Sequence, residues 1–222
     1  MKIAALIPVR SGSKRIPNKN LALIGNESLI ARKVRQLKES EFITDIYVGT
    51  DGEELAVVAE KSGAAVIMRD PVCCDEEQAS ANMMIADFVK RVSCDVVVWV
   101  HATNPFVEAA TYDSAVKTFV FEETKGFDSL MSVLPLQEHL WTPNYHPLNY
   151  NPYKERHTLA KELQPYYKQT GAFFIQRHQS MKNNSYFFGR HPYLFKTTEL
   201  EAVDINTPYD LKLANALLNA ND

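Results

Sequence analysis

Residues Ile3-Ala4-Ala5-Leu6-Ile7 form an apolar run with no polar member. A half-buried strand alternates apolar and polar side chains. An uninterrupted run belongs to a strand buried on both faces, the setting of a central strand in a parallel sheet. Such a strand needs crossover connections and helices on both sides of the sheet, so this opening directs the chain toward an α/β architecture. Asp95-Val96-Val97-Val98-Trp99-Val100 is a second strongly apolar strand.

The remaining pattern keeps that rhythm. Leu29, Ile30, Val34 and Leu37 recur at helical spacing within 28–40. Asp45 to Gly49 reads as a strand, Glu53 to Ser62 as a helix ended by Gly63, and Ala65 to Met68 as a third strand. A helix is expected over Glu77 to Val92, another over Tyr112 to Glu123, and a strand over Ser129 to Val133. Later strands are expected at Gly171 to Ile175 and Tyr193 to Phe195, and a helix over Tyr209 to Asn219 with Thr207 as cap and Pro208 in its first turn. The expected fold is one domain with a mostly parallel sheet flanked by helices. From Pro135 to about Gln169 the periodicity fails, and Pro, Asn, Tyr and His accumulate. A loop that long inside a compact domain is uncommon. Residues 135–170 are therefore expected to be an inserted arm whose aromatic side chains bury against a second copy, with a solvated excursion as the alternative.

The first strand ends in Pro8-Val9-Arg10-Ser11-Gly12-Ser13-Lys14-Arg15-Ile16-Pro17-Asn18-Lys19-Asn20. Ligands of open α/β sheets bind outside the carboxyl ends of strands, where this loop begins. Gly12 and Ser13 allow close approach of the backbone, and Arg10, Lys14, Arg15 and Lys19 supply positive charge, which suits a polyphosphate. A solvated basic loop is the plainer reading, but it gives no role to Pro17 and Asn20, which stiffen and shape the segment. Thr50-Asp51, His101-Ala102-Thr103-Asn104-Pro105 and Asp204-Ile205-Asn206 also fall at or near strand ends. A basic loop facing acidic groups describes a nucleotide–metal site, since Mg²⁺ takes a few carboxylate oxygens and fills its octahedron with phosphates and waters. Asp204 and Asn206, two apart, point the same way on an extended segment; a helix-capping turn is the alternative.

The positive charge is local. Across 222 residues, 45% hydrophobic and 23% charged, the formal net charge is −3 and the pI near 6.1, which argues against nucleic acid as a partner. No apolar run approaches the ~20 residues of a membrane span and no signal peptide is visible. Cys73, Cys74 and Cys94 form no paired framework. A cytoplasmic protein with reduced thiols and no membrane partner is expected.

The loop Arg10 to Asn20 resembles the signature loop of the acylneuraminate cytidylyltransferases, the CMP-sialic acid synthetase family. Further motifs follow in order: Gly49-Thr50-Asp51, Arg69-Asp70, Ser80 opening a helix, His101 to Pro105 as the family's Gln-Pro-Thr-Ser-Pro turn, Thr170 to Phe174 as its Asn-Gly-Ala-Ile-Tyr strand, and Asp204-Ile205-Asn206-Thr207 as its closing Asp-Ile-Asp-Thr. The resemblance spans nearly the whole chain. It implies a Rossmann-like nucleotidyltransferase fold, a homodimer joined through the arm, and Mg²⁺-dependent transfer from CTP to an α-keto sugar acid with release of pyrophosphate. By the same resemblance Arg10, Ser11, Gly12, Ser13, Lys14, Lys19, Asn20, Asp51, Arg69 and Ser80 surround the nucleotide. His101, Thr103, Asn104, Thr170 and Phe173 face the sugar, and Asp204 and Asn206 hold the metal. Arg10, Lys14 and Asp204 carry the catalysis.

Four departures stand out. Asn206 replaces the family's second metal aspartate, His101 its glutamine, Val107 the arginine after the turn, and Thr170 its asparagine. They fall mainly where the family reads the sugar. An acceptor other than sialic acid therefore stays open: another nonulosonic acid, 3-deoxy-manno-octulosonic acid or a phosphorylated small molecule. A non-catalytic nucleotide-binding homologue also stays open. His101 is a candidate base or, equally, a structural histidine.

Overall fold

The computed structural model describes residues 1–75 and 77–221. Strand β1 (Ile3–Pro8) leads through the basic loop to a short hairpin, β2 (Leu23–Ile24) and β3 (Glu27–Ser28), and then to α1 (Leu29–Lys38). Next come β4 (Asp45–Thr50), α2 (Glu53–Ser62), β5 (Ala65–Met68), α3 (Ala81–Val89), β6 (Val96–Val100) and α4 (Ala109–Glu123). The chain continues through β7 (Ser129–Leu136), β8 (Tyr166–Arg177), α5 (His178–Asn184), β9 (Pro192–Lys196) and α6 (Pro208–Asn221). Among the described residues no helix is long and apolar enough to cross a membrane.

Seven strands form one sheet in the order β5-β4-β1-β6-β8-β7-β9. As its apolar run requires, β1 is interior, paired in parallel with β4 and with β6. Its side chains alternate between the faces. Ile3, Ala5 and Ile7 join a core with Leu29, Ile30, Val34, Tyr112, Phe119 and Ala214. Ala4 and Leu6 join Ile85, Phe88, Trp99 and Met181 on the other face. Helices therefore cover both sides, giving three layers.

The parallel arrangement is not complete. β8 runs antiparallel to both of its neighbours, β6 and β7. This reversal needs no crossover, because β7 and β8 are the two arms of one long hairpin. Pro135 lies within β7, opposite Tyr167, beyond the last residue of β7 that pairs with β9, Val133. A proline is tolerated there because its missing N–H faces no partner strand. The segment read as an arm over 135–170 thus begins and ends inside the sheet, and the excursion itself is 137–165. It is tied by local bonds, Gln137 Nε2 to Leu163 O at 2.9 Å and Asn149 to both Leu140 N and Glu138 O. Tyr145 and Tyr153 stand 88% and 86% exposed on it.

Helix α3 starts four residues later than its apolar pattern alone implies. Asp75 accepts the Glu77 N–H at 2.9 Å and holds Gln78 Nε2, which keeps that stretch turned. Ser80 then caps the helix by accepting the Met83 N–H. At the other end of the chain, Thr207 and Asp210 cap α6 reciprocally: Asp210 N donates to Thr207 Oγ1, and the Asp210 carboxylate takes the N–H groups of Asn206 and Thr207. Burial alone raises the Asp210 pKa; these donors outweigh it and hold the carboxyl below its ordinary value.

Candidate functional site

Because β1, β4, β5 and β6 are mutually parallel, the loops leaving them share one edge of the sheet. There the chain forms a cavity of about 360 Å³. Arg10, Ser13, Lys14, Arg15, Lys19 and Asn20 line it from the first loop, Arg69 from the end of β5, His101 and Thr103 from the end of β6, and Asp204 and Asn206 from the closing segment. Ile16, Cys74 and Met84, absent from the expected site residues, supply apolar wall. A neighbouring recess of about 300 Å³ is lined by Ser11, Gly12, Asp51, Asp75 and Gln78, and shares Arg10 and Lys14 with the main cavity.

The basic loop is shaped by specific ties. Asp51, at the end of β4, accepts from Ser11 N at 2.8 Å and Ser11 Oγ at 2.7 Å. In this arrangement Asp51 fixes the bend of the loop. Gly12 has φ +68 with open space where a Cβ would stand, so its value is backbone freedom. Asn18 adopts φ 49, a left-handed conformation that asparagine tolerates. Buried Asn20 donates to Arg10 O at 3.4 Å. Lys19 Nζ donates to Ile205 O at 3.3 Å, Arg15 Nη2 to Asn206 Oδ1 at 3.3 Å, and Lys14 is ion-paired with Glu77.

Asp204 stands across from these cations. One carboxylate oxygen, Oδ2, accepts from Asn206 Nδ2 at 2.5 Å. The other, Oδ1, is buried and has no hydrogen-bond partner among the described residues. An unpartnered buried carboxylate oxygen is costly unless something meets it, and here it borders a cationic cradle. A single carboxylate oxygen in this position fits the chemistry of Mg²⁺, which keeps most of its positions for water and phosphate oxygens. The chain offers no fuller cage: among the described residues no group of three or more His, Cys, Asp or Glu could hold a metal. Asp204 and Asn206 do lie on one side, as their spacing requires, but Asn206 turns its nitrogen to Asp204 and its oxygen to Arg15.

Other expected site residues have different occupations. His101 lines the cavity, yet both ring nitrogens are engaged: Nδ1 with Gly171 O at 2.6 Å and Nε2 with the Trp99 indole N–H at 3.2 Å. Nε2 must accept from the indole, so Nδ1 carries the proton and the ring is neutral. Burial pushes its pKa down. A ring so held has no lone pair to offer as a base.

Arg69 is 5% exposed and ties β5 to its surroundings. It bonds Asp87 at 3.1 Å, Met84 O at 2.7 Å and Cys73 O at 3.2 Å. Asn104 is buried, its amide donating to Val203 O at 3.1 Å. Ser80 is the α3 cap. Thr170 is buried against Ser132 Oγ at 2.7 Å, where β7 and β8 shift register. Phe173 packs in the core between Tyr112 and Phe195. None of Asn104, Ser80, Thr170 and Phe173 lines either cavity, and Val107 is fully buried.

Comparison with known proteins agrees with this architecture. A family model described as Cytidylyltransferase matches residues 4–221. The chain is 30% identical over 219 residues to a 3-deoxy-manno-octulosonate cytidylyltransferase of Chlorobium chlorochromatii, covering 98% of this chain and 82% of that protein. It is 26% identical over 228 residues to a pseudaminic acid cytidylyltransferase of Campylobacter jejuni, covering 100% and 98%. It is 27% identical to an N-acylneuraminate cytidylyltransferase of Escherichia coli over 96% of this chain, which spans only 51% of that relative. The fold is similar to the solved structure of a CMP:2-keto-3-deoxy-manno-octonic acid synthetase complexed with CTP, at a TM-score of 0.74, 14% identity and full coverage of both chains (100% of each).

Proposed function

The chain belongs to the cytidylyltransferase family, and on that premise we propose that it joins CTP to an acidic keto-sugar, a nonulosonic acid or 3-deoxy-manno-octulosonic acid, and releases pyrophosphate. One observation carries this reading: Arg10, Lys14, Arg15 and Lys19 line the same cavity as Asp204. A cationic loop at a strand end holds the triphosphate, and the carboxylate opposite it holds the cation that a triphosphate brings.

In the proposed reaction the anomeric hydroxyl attacks the α-phosphorus in line. A bond from the anomeric oxygen to the α-phosphorus forms as the bond to the bridging oxygen breaks; pyrophosphate leaves and the hydroxyl proton passes to solvent water. The protein positions the reactants and meets the charge that builds on the departing oxygens. Arg10 suits two-pronged binding of a phosphate, and Lys14 acts as a point charge once it turns from Glu77. The N–H groups of Gly12 and Ser13 add neutral donors. Asp204 would hold Mg²⁺ through Oδ1 while Asn206 keeps Oδ2 in place. When bound, the ion neutralises charge on the phosphates.

The 137–165 excursion leaves the sheet beyond the carboxyl end of β7 and exposes Trp141, Tyr145 and Tyr153. We read it as the arm through which two copies pair, an expectation that sedimentation of the purified protein tests. The activity is tested by calorimetry with CTP and Mg²⁺, followed by pyrophosphate release against a panel of eight- and nine-carbon keto-sugar acids. Binding of CTP with release from one or more acids is expected. Absence of heat from CTP would remove the reading.

A further inference from the structure

Lys33 sits in the middle of α1, and its accessible surface is 0%. Its ammonium nitrogen donates to Asn104 O at 2.8 Å and lies 2.9 Å from the Tyr112 hydroxyl. Among the described residues no carboxylate is within ion-pairing distance of it. A lysine fully inside a core without a carboxylate is costly, and the cost calls for a return elsewhere in the molecule.

The same face of α1 holds the next carbonyl of that turn. Arg32 Nε donates to Pro105 O at 2.8 Å and Gln36 Nε2 to the same oxygen at 2.7 Å. Three side chains of one helix thus grip two successive carbonyls of the turn after β6. That turn in turn holds the segment containing Asp204 on both sides: Asn104 Nδ2 donates to Val203 O at 3.1 Å, and Ile205 N donates to Thr103 O at 2.9 Å. The same backbone segment also takes Lys19 Nζ from the basic loop at Ile205 O, 3.3 Å away.

We propose that Lys33 is a positioning residue for the transfer reaction: from inside the core it fixes the Thr103–Pro105 turn, which sets the backbone on either side of Asp204 and so the place of its unpartnered oxygen. This inference rests on the proposed cytidylyltransferase reading for its functional consequence, but not for the brace itself. The position also accounts for a polar residue within the Leu29, Ile30, Val34, Leu37 stripe. The groups facing Lys33 are Arg32 and Arg35 from its own helix, Glu108 after the turn and Tyr112 from α4. Burial, opposed by Glu108 and reinforced by the two arginines, brings its pKa down to about 7.

The test uses the full chain with Lys33→Met and Lys33→Gln, the second keeping a donor for the Asn104 carbonyl. Hydrogen exchange at the Ile205 amide, corrected for intrinsic rate, reads the brace without any substrate. In Lys33→Met this amide is expected to exchange at least about tenfold faster while β1 amides stay protected, with Lys33→Gln restoring part of the protection. Turnover at saturating CTP is expected to fall by about 10- to 100-fold in Lys33→Met through kcat. Unchanged Ile205 protection in a folded Lys33→Met would overturn the proposal. If no acceptor is turned over by the wild type, the functional reading fails while the exchange result still decides the brace. If Lys33→Met does not fold, Lys33→Gln carries the same exchange measurement, with an Ile205 amide as slow as in the wild type counting against the proposal.

Discussion

The side-chain nitrogen of Asn206 stands 2.5 Å from Oδ2 of Asp204. The amide therefore serves its neighbour as a donor and adds no charge. Asn206→Asp puts two carboxylates in contact, and without a cation both cannot ionise there. The variant is expected to bind Mg²⁺ about tenfold tighter in the presence of CTP, since affinity rises with ligand charge, and to melt lower than wild type in chelator. Magnesium titration of the CTP binding heat and paired thermal melts check both effects.

His101 is expected to contribute no limb to the pH profile of turnover. Its folded pKa lies below its ordinary value of about 6.5 because the ring is buried. The folded state then binds fewer protons than the unfolded one as pH falls through about 6.5, so His101 makes stability decrease on acidification and level off below the folded pKa. His101→Ala leaves the Trp99 N–H and the Gly171 carbonyl unpaired, at about 1–3 kcal/mol for each. His101→Gln is expected to alter acceptor preference more than CTP affinity. Urea unfolding at pH 5 and 7.5 follows the stability, and a kinetic limb that vanished in His101→Gln would restore the ring as a base.

Lys14→Ala is expected to reduce pyrophosphate release by about 10²- to 10³-fold and to leave stability within about 0.5 kcal/mol, because its pairing with Glu77 is at the surface. Circular dichroism melts with a coupled phosphate assay separate these. Normal release from a folded Lys14→Ala would remove Lys14 from the triphosphate site.

Arg69→Met is expected to act first on the fold. Among the described residues it leaves Asp87, 3% exposed, with the surface cations Lys90 and Arg91, and breaking a buried pair costs about 3–5 kcal/mol. Chemical denaturation gives the loss. A stable Arg69→Met that had lost only CTP affinity would make Arg69 a nucleotide ligand and not a tie.

The layers of this fold follow from patterns visible in the chain: the unbroken apolar runs of β1 and β6 place them centrally, and the α1 stripe gives its buried face. The antiparallel course of β8 was not visible, because strand direction is set by which neighbour the hairpin meets and leaves no mark on local composition. For the same reason Pro135 reads as a break although it lies in a strand. At the site, residue types gave the cationic loop and Asp204. They did not separate side chains that face the cavity from those that hold the backbone around it. Asn104, Thr170 and Phe173 belong to motifs whose chemistry suggests contact, yet their partners are carbonyls, hydroxyls and rings of the core. Lys33 carried a signal, a cation on the apolar stripe of α1, whose meaning depends on a turn about seventy residues away.

The loop after β1 is closed by groups far along the chain: Arg15 meets Asn206 across 191 positions and Lys19 meets Ile205 across 186. During synthesis the first strand and its cations therefore exist long before their counterparts emerge, and no early folding unit contains the complete cavity. A ligand that fits here reports completion of the whole molecule. Its thermal stabilisation should appear as one cooperative shift, growing with ligand concentration, and not as protection of an amino-terminal fragment.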